Sequence, residues 1–274
     1  MKIIAVRRDD RFSPNCVEKD RLILEAACNN LCQRFEFQGE ACALRWVDEA
    51  ELTPEDDADL YLTMARLPEA LDVLEGFVRQ GRRVLNKPQG VKNCQRSLLE
   101  KVMRQNSSPM PEETDLKNPS FPLWLKRADA AAQTKDDVVF CPNEDVLQRA
   151  MADFQQRGIT DFVLSRHVEG DVVKFYGVGD VFFRHFYPTD DGQTKFADEA
   201  NHNGEPHHYP FDVAQLQSEA ARLAQLLQME VYGGDAIISR EGHFYIIDFN
   251  DWPSFSRCRD EAAEAIANLL LSTS

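Results

Sequence analysis

Residues 232–255, YGGDAIISREGHFYIIDFNDWPSF, constrain the fold more than any other stretch of this chain. Two runs of strand formers flank Glu241-Gly242, where glycine supplies the positive φ of a tight loop, so the segment reads as a β-hairpin. On the second strand Asp248 and Asn250 are two residues apart and project from one face. With Glu241-Gly242 as the whole loop, Arg240 pairs with His243 and Asp235 falls opposite Asp248. Facing carboxylates repel each other. A divalent cation relieves the repulsion, and two Asp with one Asn make the all-oxygen set that Mg²⁺ accepts. A three-residue loop over 240–242 instead slides the pairing by one and parts the two acids, unless a bulge compensates. The alternative reading is an ordinary hairpin with a solvated acidic side.

Charge and composition narrow the function classes. The chain has 274 residues, 43% of them hydrophobic, enough for one large domain or two to three small ones. Its net charge of −15 argues against a nucleic-acid or anionic-membrane surface, because phosphate contacts need clustered Lys and Arg. A small phosphorylated ligand remains compatible, since a few local cations hold it. Seven cysteines without a CxxC pair suggest neither a zinc site nor a disulfide framework. The start, MKIIAVRRDD, has too short an apolar run for a signal peptide, and no window approaches a membrane span. The expectation is a soluble, cytoplasmic protein.

The first third alternates strand and helix signals. Strands are expected over 2–6, 43–47, 58–64 and 83–86, a helix from Ser13-Pro14 to about Arg34, and another over 68–81 with Leu71, Leu74, Phe77 and Val78 on one face. That alternation predicts a parallel, doubly wound sheet, whose ligands gather at the carboxyl ends of the strands. Arg7 and Arg8 follow the first strand and Arg66 the third. Further on, a helix is expected over 94–105, a strand over 123–126, an Ala-rich connection over 128–137 and a strand over 138–141. A helix from Asn143 to Gln156, ended by Gly158, and a strand over 162–168 follow. Strands over 172–177 and 181–186, a long polar loop over 188–209, a helix over 212–227, the hairpin, and a helix over 260–271 complete the chain.

Together these pieces resemble the ATP-grasp superfamily, of the glutathione synthetase-like and RimK-type ligase kind. The resemblance runs from about Arg83 to Phe255, and the most specific motif is Asp235 followed by Asp248, Asn250 and Pro253. It implies an α/β N-terminal domain with a parallel sheet (1–88), then a two-lobed α+β ATP-grasp domain (89–274, divided near 163). It also implies ATP and one or two Mg²⁺ ions, the metal held by Asp235, Asp248 and Asn250. By the same resemblance Arg96 and Lys126 contact ATP, and Leu164, Ser165, Arg166, His167 and Val168 form the linker that reads adenine. Glu169 accepts from ribose, Lys174 points toward the transferred phosphate, and Arg184 contacts phosphate or substrate. Arg7, Arg8, Arg66 and Arg257 are candidate substrate contacts, although surface roles account for them nearly as well.

Two departures keep the activity open. Arg96 stands where ligases of this kind carry a Lys, and RADAAAQTKDD after Lys126 has no glycine where they fold a Gly-rich loop over the phosphates. The Gly-poor loop resembles the inositol-phosphate kinase branch, but DWPSFSR lacks the Gly those kinases place after Pro. The expected function is ADP-forming ligation of a small-molecule or peptide carboxylate to an amine. Phosphorylation of an alcohol and catalytically silent nucleotide binding are the alternatives, and homodimer formation is left open. His202, His207 and His208 match no standard metal spacing and read as a solvated loop.

Overall fold

The structure, a computed structural model, describes residues 1–13, 17–129, 134–188 and 202–272. Pro14 of the expected helix start, 130–133 of the Ala-rich connection and 189–201 of the expected long loop lie outside the described residues.

The fold is mixed α/β, with one parallel sheet and two antiparallel ones. The parallel sheet has the order β2 (Ala43–Asp48), β1 (Lys2–Arg7), β3 (Leu60–Thr63), β4 (Arg83–Leu85). Its central strands are buried on both faces, as a parallel sheet covered by helices requires. Helix α1 (Val17–Phe37) packs Ile23, Leu24, Ala27 and Leu31 on the face carrying Ile3 and Ala5. Helix α2 (Pro68–Arg79) packs Leu71, Leu74 and Phe77 on the face carrying Ile4, Val6 and Tyr61. Pro88 opens a short helix, α3 (Pro88–Asn93), and α4 (Arg96–Gln105) follows it.

The second sheet has the order β6 (Val138–Cys141), β5 (Leu123–Arg127), β7 (Phe162–Arg166), all antiparallel. Leu123 and Leu125 bury against α5 (Glu144–Gln156), which Asn143 caps by accepting from Val146 N. Trp124 and Lys126 therefore face the other way. The third sheet has the order β11 (Phe244–Asp251), β10 (Val231–Ile238), β8 (Asp171–Val178), β9 (Phe182–Phe186). One face packs Phe175, Tyr232 and Phe249 on α4 and α6 (Val213–Leu227). The other packs Tyr176, Val178 and Phe182 on α7 (Arg259–Ser272) and α1, in a core shared with the parallel sheet.

The hairpin turn is not the two-residue one. Ser239 N donates to His243 O and Gly242 N to Ser239 O, so the loop is the three residues 240–242, with Gly242 at φ +82°. A β-bulge then restores the pairing: Ala236 lies opposite Ile246, but Asp235 lies opposite Asp248, and Ile247 is the extra residue. The two acids share a face by that compensation and not by a tight turn. The cysteine expectation is also corrected, because Cys32 of α1 and Cys42 form a disulfide with Cα atoms 5.4 Å apart. The cysteine count therefore carries no argument about compartment. Among the described residues no helix is long and apolar enough to cross a membrane.

Candidate functional site

The bulge at Ile247 decides which side chains of β11 meet the cleft. On a regular strand Phe244, Ile246, Asp248 and Asn250 would share one face, and the acid would enter the core with the apolar residues. With one residue added, Phe244, Ile246 and Phe249 pack with α6, and Asp248 and Asn250 turn to the opposite side. Pro253 folds back over Gly233, the residue opposite Asn250; a Cβ there would meet Pro253 Cγ at 2.7 Å.

Lys174, Asp235 and Asp248 form one row across β8, β10 and β11. Lys174 Nζ lies 2.9 Å from the buried Asp235 Oδ1, a charge-assisted pair. Arg96, the first residue of α4, brings Nη2 within 3.7 Å of Asp248 Oδ1. Asn250 Nδ2 donates to Asp248 Oδ2 at 3.1 Å. Lys126, at 6% exposure, reaches across from β5 to Ile247 O at 3.4 Å, the carbonyl of the bulge residue. Burial pushes the Asp248 carboxyl up, but Arg96, the Asn250 hydrogen bond, Lys126 and Lys174 outweigh it and hold it below the ordinary carboxylate value. Burial likewise lowers Lys174, and Asp235 more than offsets it, so its ammonium sits above its ordinary value. Among the described residues Arg96, Lys126 and Lys174 thus gather about Asp235 and Asp248 in a chain of net charge −15.

A second cluster lies one residue beyond Asn250. Asp251, 2% exposed, accepts from Arg8 Nη2 at 2.7 Å through Oδ2 and from Arg66 Nε at 2.9 Å through Oδ1. Arg8 Nε also donates to Met64 O at 3.1 Å. The buried Glu49 carboxylate sets both arginines by accepting from Asp9 N at 2.5 Å and from Arg66 N and Leu67 N at 2.6 Å each. It thereby draws together the carboxyl ends of β1 and β3. Burial raises Asp251, and Arg66 and then Arg8 overcome it, leaving the carboxyl below its ordinary value. Sequence reasoning found Arg8 and Arg66 but missed Asp251 and Glu49.

The remaining candidates stand apart from these clusters. Arg184 pairs with Glu261 of α7 and lies over the Phe182 ring at 5.2 Å. Arg257 donates to Tyr187 O at 2.9 Å and Pro188 O at 3.3 Å. Arg7 pairs with Asp48 at 2.7 Å, and Arg166 with Glu112 at 2.9 Å.

No family model matches the sequence, and no curated protein matches it either. Solved structures do. The D-alanine–D-alanine ligase from Bacillus anthracis superposes with a TM-score of 0.66 at 11% identity, over 100% of this chain and 97% of that one. Its complex with ATP gives 0.64 at 13% identity over the same shares. A RimK domain protein ATP-grasp from Sphaerobacter thermophilus gives 0.64 at 18% identity, over 98% of this chain and 99% of that one. The ATP-grasp ligase PsnB, complexed with its minimal precursor, gives 0.61 at 12% identity over 99% of both. The fold is ATP-grasp.

On this ATP-grasp frame the linker after β7 is partly committed. Arg166 N donates to Glu112 O at 2.8 Å, His167 N to Pro122 O at 2.9 Å, and Leu164 O accepts from Thr114 N at 3.2 Å. Leu164 and Ser165 are also paired with β5, so the linker residues beyond these bonds are Val168 and the exposed Glu169. Trp124 Nε1 donates to His167 Nδ1 at 3.1 Å, which puts the proton of a neutral imidazole on Nε2. Burial lowers His167 below its ordinary value, in keeping with that neutral form. Among the described residues no three His, Cys, Asp or Glu side chains gather as a metal group. The candidate metal set is therefore two Asp and one Asn. Its chemistry fits Mg²⁺: every donor is oxygen, Asp248 is held ionised, and Asp235 is buried on the same face opposite it.

Proposed function

We propose that this chain is an ATP- and Mg²⁺-dependent ligase that joins a carboxylate to an amine through an acyl phosphate and releases ADP. Its parts are an N-terminal α/β domain (1–88) and two ATP-grasp lobes (89–163 and 164–274). The observation that carries the reading is the convergence of Arg96, Lys126 and Lys174, from α4, β5 and β8, on Asp235 and Asp248. Three cations drawn to one place in an acidic chain suit a polyanion, and two acids beside them suit the metal that accompanies a polyphosphate. Asp235, Asp248 and Asn250 would hold Mg²⁺, which when bound neutralises phosphate oxygens during phosphoryl transfer.

Arg96 and Lys126 hold the phosphates, and Lys174 meets the charge that develops on the transferred group. A substrate carboxylate oxygen attacks the γ-phosphorus and ADP leaves. The amine then attacks the acyl carbon, phosphate departs with the C–O bond electrons, and the amine proton passes to solvent. Val168 and Glu169 take the base and ribose. Arg184 and Arg257 remain the substrate-side candidates. Arg8 and Arg66 serve the join between the parallel sheet and β11, since both donate to Asp251.

The test is a product balance. A ligase forms ADP and phosphate in equal amounts only with both an acid and an amine, and hydroxylamine in place of the amine traps a hydroxamate. Residues 127–137, which carry no glycine, favour a second reading, phosphorylation of an alcohol. That reaction yields ADP without free phosphate. Thermal stabilisation by Mg·ATP with no ADP formed under any acceptor would reduce the protein to a binder.

A further inference from the structure

We infer that His202 occupies the stacking place of the nucleotide base while the cleft is empty, so that ATP binds in competition with a ring of the chain itself. This regulation rests on the nucleotide reading above.

Trp124 and Phe140 lie opposite each other on β5 and β6, two residues along from the pair Lys126 and Val138. Side chains two apart on a strand share a face, so both rings stand on the cleft side with Lys126 and away from α5. Two residues of strand span about 7 Å, which sets the rings within a nucleotide's length of the cations around Asp248. His167, following β7, borders the same patch, its ring edge-on to Phe140 at 5.2 Å. An aromatic patch beside a cation cluster is what a base with a phosphate tail recognises, since any base stacks on a ring face.

That face is already covered. The His202 imidazole stacks on Phe140, with ring centroids 4.0 Å apart and an interplanar angle of 25°, and meets Trp124 edge-on at 5.5 Å. The residues that follow it are fastened elsewhere. Asn203 Oδ1 accepts from Gly170 N at 3.2 Å, and Asp171 accepts from His207 N at 2.7 Å and Tyr209 N at 2.8 Å. The ring is thus presented from the start of β8, directly beyond the linker, and can leave Phe140 without undoing these bonds. Its outer side is exposed, so the core does not depend on it. A flat heteroaromatic ring parallel to Phe140 has the geometry that a purine needs there.

An occupant present about nine-tenths of the time weakens apparent affinity about tenfold. The test compares binding of Mg·ADP and of Mg·tripolyphosphate, which has no base, to the full chain and to His202→Ala and Phe140→Ala. The expected result is that His202→Ala tightens ADP about tenfold and leaves tripolyphosphate unchanged, and that Phe140→Ala weakens ADP alone. An unchanged or weaker ADP affinity in His202→Ala overturns the inference, the weaker result marking His202 as a partner of the base. Unchanged ADP affinity in Phe140→Ala overturns it as well, because the base then stacks elsewhere. If neither ADP nor tripolyphosphate binds any of the three proteins, the nucleotide reading itself fails and the inference falls with it.

Discussion

Asp248 and Asp251 sit three residues apart on β11, and both are carboxylates held below their ordinary values by nearby cations. Their surroundings differ in one respect. The Asp251 side chain is 2% exposed and grips two guanidinium groups. The Asp248 side chain is 32% exposed and lies among Arg96, Lys126 and Lys174, which come from three different elements. The buried cluster joins β11 to the ends of β1 and β3, whereas the more open one is the place proposed above for Mg·ATP. Similar residues on one strand serve both ends because the cations come from different elements.

Replacing Asp251 by Ala removes the acid that Arg8 and Arg66 share and leaves Arg8 only its longer 3.8 Å pair with Asp20, so the chain should lose about 3–5 kcal/mol of stability in denaturant unfolding. A loss below about 1 kcal/mol would mean that the cluster does not join the parallel sheet to β11. Asp248→Ala should do the reverse. Turnover falls about 100- to 1000-fold in an ADP-release assay, and stability changes by about 1 kcal/mol or less. Intact turnover in that variant removes the metal assignment. Acid separates the clusters less sharply. A carboxylate held lower in the fold than in the unfolded chain contributes fully above about pH 3.9, and that contribution is lost as pH falls through the folded value. Stability followed by circular dichroism should therefore decline below about pH 4, and Asp251→Asn should flatten that decline. The smallest effect belongs to Arg7, whose pair with Asp48 is solvent-exposed. Arg7→Ala should change stability by about 0.5 kcal/mol or less. Substrate KM should not move; a large rise would return Arg7 to the substrate site.

Much of this arrangement is legible in the sequence where the signal is local. The apolar spacing of Leu71, Leu74 and Phe77 marks α2, and strand–helix alternation correctly places Arg8 and Arg66 at carboxyl ends of parallel strands. What those arginines meet is not legible, because Asp251 is 243 residues from Arg8 and 185 from Arg66. Glu49, in a polar GluAlaGlu run, looks like a solvated charge until the backbone of two distant loops arrives at it. The hairpin turn was ambiguous because Gly242 serves either loop length. The signal that resolves it is the apolar parity of FYIIDFND, which is even at Phe244 and Ile246 and odd at Phe249. A run of consecutive strand formers hides that jump. The neighbours of the linker are hidden for a similar reason: the polar residues 111–114 carry no strand signal, yet they run beside β7 and bond with its backbone.

The extra residue at Ile247 also acts as a joint. On the tip side Ile246 N donates to Pro109 O at 2.8 Å, and Gly242 packs so closely that a Cβ would meet Pro210 O at 2.6 Å. On the base side the strand carries Asp248, Asn250 and Asp251. A hairpin usually transmits a slip at its tip along the whole ladder, like a zipper closed one tooth out. Here the spare tooth lies in the middle, so the tip answers to the segments that brace it and the base keeps its own alignment with β10.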